Sequence, residues 1–193
     1  RVLGMLRDAA TAALFGLSGG GVMDAFVLAF RIPNLFRRLF GEGVLAASYL
    51  PVLSAALERD QTEAWRLASA VLLRLAVGLA ALVAVGEVVL GAVALAGSGD
   101  PEIQRFTVLA AIMLPYALFI CLAAQAAATL HALGRFALPA SIPTILNLVW
   151  LAAAVIVAPW YSSDKTVQAQ VMAVAIVAAG IVQFSVQIPA LCR

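Results

Sequence analysis

Apolar runs of membrane-crossing length limit what this chain can fold into. A spanning helix needs about 20 mostly apolar residues, and on that rule the 193 residues divide into about six segments, 1–15, 22–57, 65–96, 103–133, 139–158 and 166–191. Hydrophobic residues make up 64% of the sequence and charged ones 11%, against roughly 45–50% and 25% in soluble domains. The expected fold class is therefore all-α, a polytopic membrane helix bundle. No basic run is interleaved with stacking aromatics, so a nucleic-acid partner is excluded.

Short polar stretches separate the segments. Gly16 to Gly21 is a glycine-rich turn, 58–63 (ERDQTE) is an aqueous loop, 97–101 (GSGDP) is a turn, and 131–138 (HALGRFAL) and 159–165 (PWYSSDK) are short loops. Trp65 and the Trp160–Tyr161 pair are placed to anchor helices at the membrane interface. Segment 22–57 is too long for one straight span at 1.5 Å per residue. Pro33 and Pro51 remove hydrogen bonds to the Ala29 and Ala47 carbonyls, and Gly41 and Gly43 loosen the chain between them, so a bent or interrupted helix is expected. Pro115 predicts a kink in the fourth segment. The sequence opens on Arg1 within an apolar helical pattern, and the first segment reads as the remnant of a helix that begins upstream.

Charge is concentrated at the start. Residues 1–42 hold five arginines (Arg1, Arg7, Arg31, Arg37, Arg38) and three carboxylates (Asp8, Asp24, Glu42), so the whole net charge of +2 lies there. A charge in the bilayer centre costs about 2.5–3.5 kcal/mol on insertion scales, so such a cluster faces water, a partner charge or a ligand. Arg1 and Asp8 fall nearly on one helical stripe; Asp24, Arg31 and Arg38 share another if the helix is continuous through Pro33. Arg38 and Glu42 are spaced to pair. One reading is that ion pairs lock two helices together. The other is that the surplus arginines face a polar cavity and hold an anion, for which the planar, permanently charged guanidinium suits phosphate.

Other polar residues say less. Glu87 lies inside the third segment, His131 at a helix end, and Gln125, Asn147, Gln183 and Gln187 are candidates for hydrogen bonds between helices. Cys121 and Cys192 fall at different depths and offer neither a disulfide nor a metal site. Paired carboxylates, HExxH, GxSxG and P-loop patterns are absent from the sequence, so no cofactor, metal or enzymatic activity is expected, and transport or binding is favoured.

The blocks RVLGMLRDAA, MDAFVLAFRIPNLFRRLFGEG and LPVLSAAL resemble the amino-terminal region of the MurJ (MviN) lipid II flippases, within the multidrug/oligosaccharidyl-lipid/polysaccharide exporter superfamily. LPYALFICLAA, LHALGRFALPASIPTILN and VQIPAL continue the similarity. The resemblance implies about fourteen membrane helices, with two six-helix lobes around a cavity, and this chain would be the first lobe, lacking the second. It also implies a bacterial inner-membrane protein that moves lipid II, an undecaprenyl-diphosphate carrying a disaccharide-pentapeptide, to the outer leaflet by alternating access. The family's cavity arginines match Arg1, Arg7 and Arg37, its cavity or gating acid matches Asp24, and Asp8, Arg31, Arg38 and Glu42 would support them by ion pairing. The implied partners are lipid II, membrane lipid and the second lobe. Rival readings are another exporter of the superfamily, for polysaccharide or drug, and a membrane scaffold that transports nothing. The turn GLSGGGVM is longer than the family pattern, and Gly41 and Leu45 stand where Ala and Phe are usual.

Overall fold

The computed structural model describes residues 2–16, 21–41, 44–97 and 99–191, and those residues form helices joined by short turns, without strands. Helix α1 (Val2–Phe15) ends at Gly16, whose φ of 78° only glycine adopts readily and whose N–H bonds the Ala12 carbonyl at 2.9 Å. Gly21, also left-handed, leads into α2 (Val22–Phe36).

The expected interruption of the second segment is present, one turn later than its proline. Helix α2 continues through Pro33, then widens into a π turn at Arg37–Gly41, and α3 (Val44–Arg59) follows. Proline cannot donate to the carbonyl four residues back, and a π turn shifts the hydrogen-bond register by one, so the ladder is repaired just beyond the defect. The fifth segment behaves alike. Helix α6 (Ala137–Ala152) passes into a π turn at Ala153–Val157 and then α7 (Ala158–Tyr161), and the Ala158 N–H reaches back five residues to Ala153. Pro159, in the first turn of α7, is the adjacent defect.

The ERDQTE loop needs correction. Only Asp60 separates α3 from α4 (Gln61–Ala96), and its Oδ1 accepts from the Thr62 N–H at 2.8 Å. Charged residues were read there as a loop, whereas they form two exposed helix ends around an N-cap. The same device starts α5 (Pro101–Ala132), where Asp100 accepts from Glu102 N–H at 2.8 Å, and α8 (Lys165–Ser185), where Asp164 accepts from Thr166 N–H at 2.7 Å. Helix α6 likewise begins at Ala137, inside the stretch read as a loop. A turn at Val186 and Gln187 separates α8 from α9 (Ile188–Leu191).

Among the described residues four helical stretches are long and apolar enough to cross a membrane: Gln61–Ala96, Pro101–Ala132, Ala137–Tyr161 and Lys165–Leu191. The protein is a multi-pass membrane protein. Helix α5 is its axis, packed on α8, α4 and α2 and buried along most of its length. Close approach to α8 uses small residues, as between membrane helices generally: Ala117, Ala169, Ala173 and Gly180 are buried. A Cβ on Gly180 would stand 2.6 Å from Tyr116 Cδ2. Buried glutamines tie the helices as expected, Gln183 Nε2 donating to the Ile142 carbonyl at 2.8 Å and Gln187 Nε2 to that of Ala123 at 3.0 Å.

The helices alternate in direction, so the turns sort to two ends. Tyr49, Leu53, Ala64, Ala68 and Ala128 form a small core beside the α3–α4 and α5–α6 turns, and Arg135 donates to the Ala190 carbonyl at this end. At the other end Lys165 Nζ donates to the Leu14 carbonyl, closing the end of α1 against the start of α8.

Candidate functional site on α1 and α2

Arg7 is held at the junction of α1 and α6. Its Nε and Nη2 both donate to one oxygen of Asp8, at 2.9 and 2.8 Å, and Nη1 reaches Asn147 Oδ1 of α6 at 3.4 Å. Its Cζ lies 4.8 Å from the centroid of Trp150, a cation–π contact of about 0.5–2 kcal/mol depending on desolvation. Trp150 is itself fixed: its indole N–H donates to Thr11 Oγ1 at 2.9 Å, and that hydroxyl donates to the Arg7 carbonyl at 2.8 Å. Phe30 and Phe26 meet it edge to face, with centroids 4.8 and 5.7 Å away. A half-open cavity of about 230 Å³ results, with Arg7, Asp8 and Thr11 on its polar side and Met23, Phe26 and Phe30 opposite.

The ion pair therefore does not lock two helices together. Arg7 and Asp8 are neighbours on α1, and the links to α6 are neutral, through Asn147 and the Trp150 ring. Asp8 is 70% exposed against 24% for the Arg7 side chain, so the carboxylate is the solvated member and the guanidinium the enclosed one.

Arg37 opens the π turn. Its Nε donates to Asn34 Oδ1 at 3.1 Å. Tyr116 of α5 stacks on Phe30 at 6.2 Å, so Arg7 lies against an aromatic group built from Trp150, Phe30 and Tyr116.

Because α2 is continuous through Pro33, the sevenfold stripe holds. Asp24 and Arg31 line a cavity of about 320 Å³ with Glu102, and Arg31 and Arg38 line a second of about 430 Å³ with Asn34 and Leu35. Among the described residues Arg31 has no carboxylate within 4 Å; Asp24 is two helical turns away, about 10 Å along the axis. Arg1 and Glu42 lie outside the described residues, and with them the expected Arg38–Glu42 pair. Cys121 is buried and free. The described residues hold no group of three His, Cys, Asp or Glu able to bind a metal.

Sequence reasoning passed over three residues. Trp150 lies mid-span, where an indole N–H needs a polar partner, and that requirement was the available signal. Glu102 was masked by the preceding turn, and Arg74, exposed on α4, by the apolar run around it.

Residues 11–193 match the model of the family described as "Lipid II flippase MurJ". The chain belongs to the MurJ lipid II flippase family. A Burkholderia cenocepacia relative named "Lipid II flippase MurJ" is 38% identical over 197 residues, covering 99% of this chain and 37% of the relative. Relatives named "Probable lipid II flippase MurJ" are 39% identical in Bdellovibrio bacteriovorus, over 84% of this chain and 32% of theirs, and 33% identical in Vibrio cholerae, over all of this chain and 38% of theirs. The chain thus spans about a third of the length of these MurJ relatives, and the Burkholderia and Vibrio alignments take in Arg7 and Asp8, which precede the matched family region.

Proposed function

We propose that this chain is the amino-terminal lobe of a lipid II flippase of the bacterial cytoplasmic membrane, and that Arg7 and Arg37, with Arg1, bind the diphosphate of the lipid. The observation that carries this reading is the holding of Arg7: an enclosed guanidinium over an aromatic face, satisfied by a single carboxylate oxygen and a long bond to Asn147, beside an open cavity. A diphosphate oxygen can take the place of Asn147 at little loss, because at 3.4 Å the bond to that uncharged amide is near the limit of the interaction, whereas a phosphate brings an anionic acceptor suited to the guanidinium fork. The aromatic floor fixes the guanidinium plane before the ligand arrives. Arg37 supplies a second cation, at the π turn that follows α2. Asp24, in the first turn of α2, acts as a cavity or gating acid.

Lipid transfer by alternating access requires a second lobe to rock against this one, so the partners are that lobe, lipid II and the surrounding lipid. The end bearing Arg59, Arg66 and Arg135 faces the cytoplasm, following the bias of basic residues in short loops. The protein binds and moves its substrate without catalysing a bond change.

The test uses the complete gene in cells depleted of their own lipid II flippase, scoring lipid II at the outer leaflet with Arg7 intact and with Arg7→Ala at equal membrane abundance. Restoration by the parent and loss in the variant are expected. No restoration by a correctly inserted parent would remove the lipid II assignment; equal restoration by both would make Arg7 structural.

A further inference from the structure

The cavity shared by Asp24, Arg31 and Glu102 has an unusual charge arrangement. Asp24 stands in the first turn of α2 and Glu102 in the first turn of α5, both exposed at one end; Arg31 stands two turns along α2 at the other. Ala25, Leu28 and Phe106 make an apolar floor between them. The acids and the arginine face one space of about 320 Å³ without closing on each other, since no ion pair within 4 Å joins them. Gly21 borders the acidic end, where a Cβ would be in ordinary contact with Glu102 Oε1 at 3.6 Å.

Helix dipoles account for a carboxylate in each first turn. They do not account for a cation that faces both acids across an apolar floor and leaves them unpaired. Opposite charges held apart across such a space are complementary to a group that carries both signs. We propose that this cavity is a zwitterion subsite, taking an ammonium between Asp24 and Glu102 and the same ligand's anionic group on Arg31. The proposal rests on the flippase reading for its position: Val27 borders both this cavity and that of Arg7, so the subsite adjoins the diphosphate site across the α2 ridge. Two sources carry that chemistry, an amine-bearing peptide on the transported headgroup and the phosphoethanolamine headgroup of a neighbouring lipid.

The experiment uses the full-length protein in nanodiscs of phosphatidylglycerol, with or without phosphatidylethanolamine. Affinity is measured for lipid II with its peptide side-chain amine free and for lipid II with that amine acetylated. A headgroup subsite predicts about tenfold tighter binding of the free amine, the effect of one charge-assisted hydrogen bond, and Glu102→Gln reduces the difference to within twofold while leaving the acetylated lipid unaffected. Arg31→Gln weakens the free-amine form similarly. A lipid subsite predicts instead that phosphatidylethanolamine co-purifies with the parent and is lost in Glu102→Gln. Equal binding of both lipid II forms, together with equal phosphatidylethanolamine retention by parent and variant, would overturn the proposal. Absence of any lipid II binding by the folded parent counts against the flippase reading, and the retention measurement then decides the subsite by itself.

Discussion

The α5–α8 interior and the α1–α2 face solve opposite problems with similar residues. Inside, Gln183 and Gln187 each spend their amide N–H on a carbonyl of another helix, while the buried Gln125 Nε2 makes no hydrogen bond, and Gly180 lets the Tyr116 ring lie against α8. On the α1–α2 face Arg7 spends its two short bonds on Asp8 of its own helix and reaches α6 only through a long bond to Asn147 and the Trp150 ring, with a cavity beside it. Polar groups that join helices contribute stability; polar groups satisfied within one helix leave the space in front of them available. The arginine-bearing face therefore keeps open space where the proposed ligand would sit, and the interior does not.

Substitutions can break that contrast, beginning with the largest effect. In the full-length protein Arg7→Ala is expected to lower lipid II transfer at least tenfold and to leave thermal unfolding in detergent nearly unchanged; a collapse of stability instead would move Arg7 to the interior class. Trp150→Ala tests the boundary between the regions, since it removes both the floor of the Arg7 cavity and a buried ring. A loss of about 3–5 kcal/mol is expected from the ring alone, with transfer reduced in whatever protein remains folded. Trp150→Phe sharpens the point, keeping most of the ring and losing the bond to Thr11.

Gly180→Ala puts a methyl where Tyr116 now lies and is expected to destabilise by about 1–3 kcal/mol through overpacking, with activity per folded molecule retained. Asp60→Ala is the mildest. Loss of the α4 N-cap is expected to cost about 1 kcal/mol, read as a small drop in unfolding temperature without change in transfer.

The helical segments were legible in the sequence because apolar length and turn composition are one-dimensional signals. The end of α1 at Gly16, the start of α2 at Gly21 and the break within the second segment followed from Gly and Pro, while 17–20 lie outside the described residues. The ERDQTE stretch was misjudged because polarity distinguishes exposed from buried, and an exposed helix end is as polar as a loop. The π turn at Ala153–Val157 lies in a run of Ala, Val and Ile with no local mark; its neighbour Pro159 was read as a loop boundary. At the site, the arginines announced themselves by their cost in a membrane, whereas Trp150 and Glu102 did not. Their roles depend on which helices meet, and Arg7 and Trp150 are 143 residues apart in sequence.

The π turn at Arg37–Gly41 has a mechanical meaning. A regular helix transmits bending as a stiff rod, and a local shift of hydrogen-bond register makes a compliant joint between α2 and α3. Arg37 stands on that joint, bonded to Asn34 on the α2 side. An anion bound by the Arg37 guanidinium would therefore act at the break that follows α2, so the proposed binding site and the interruption of the second segment coincide in one side chain.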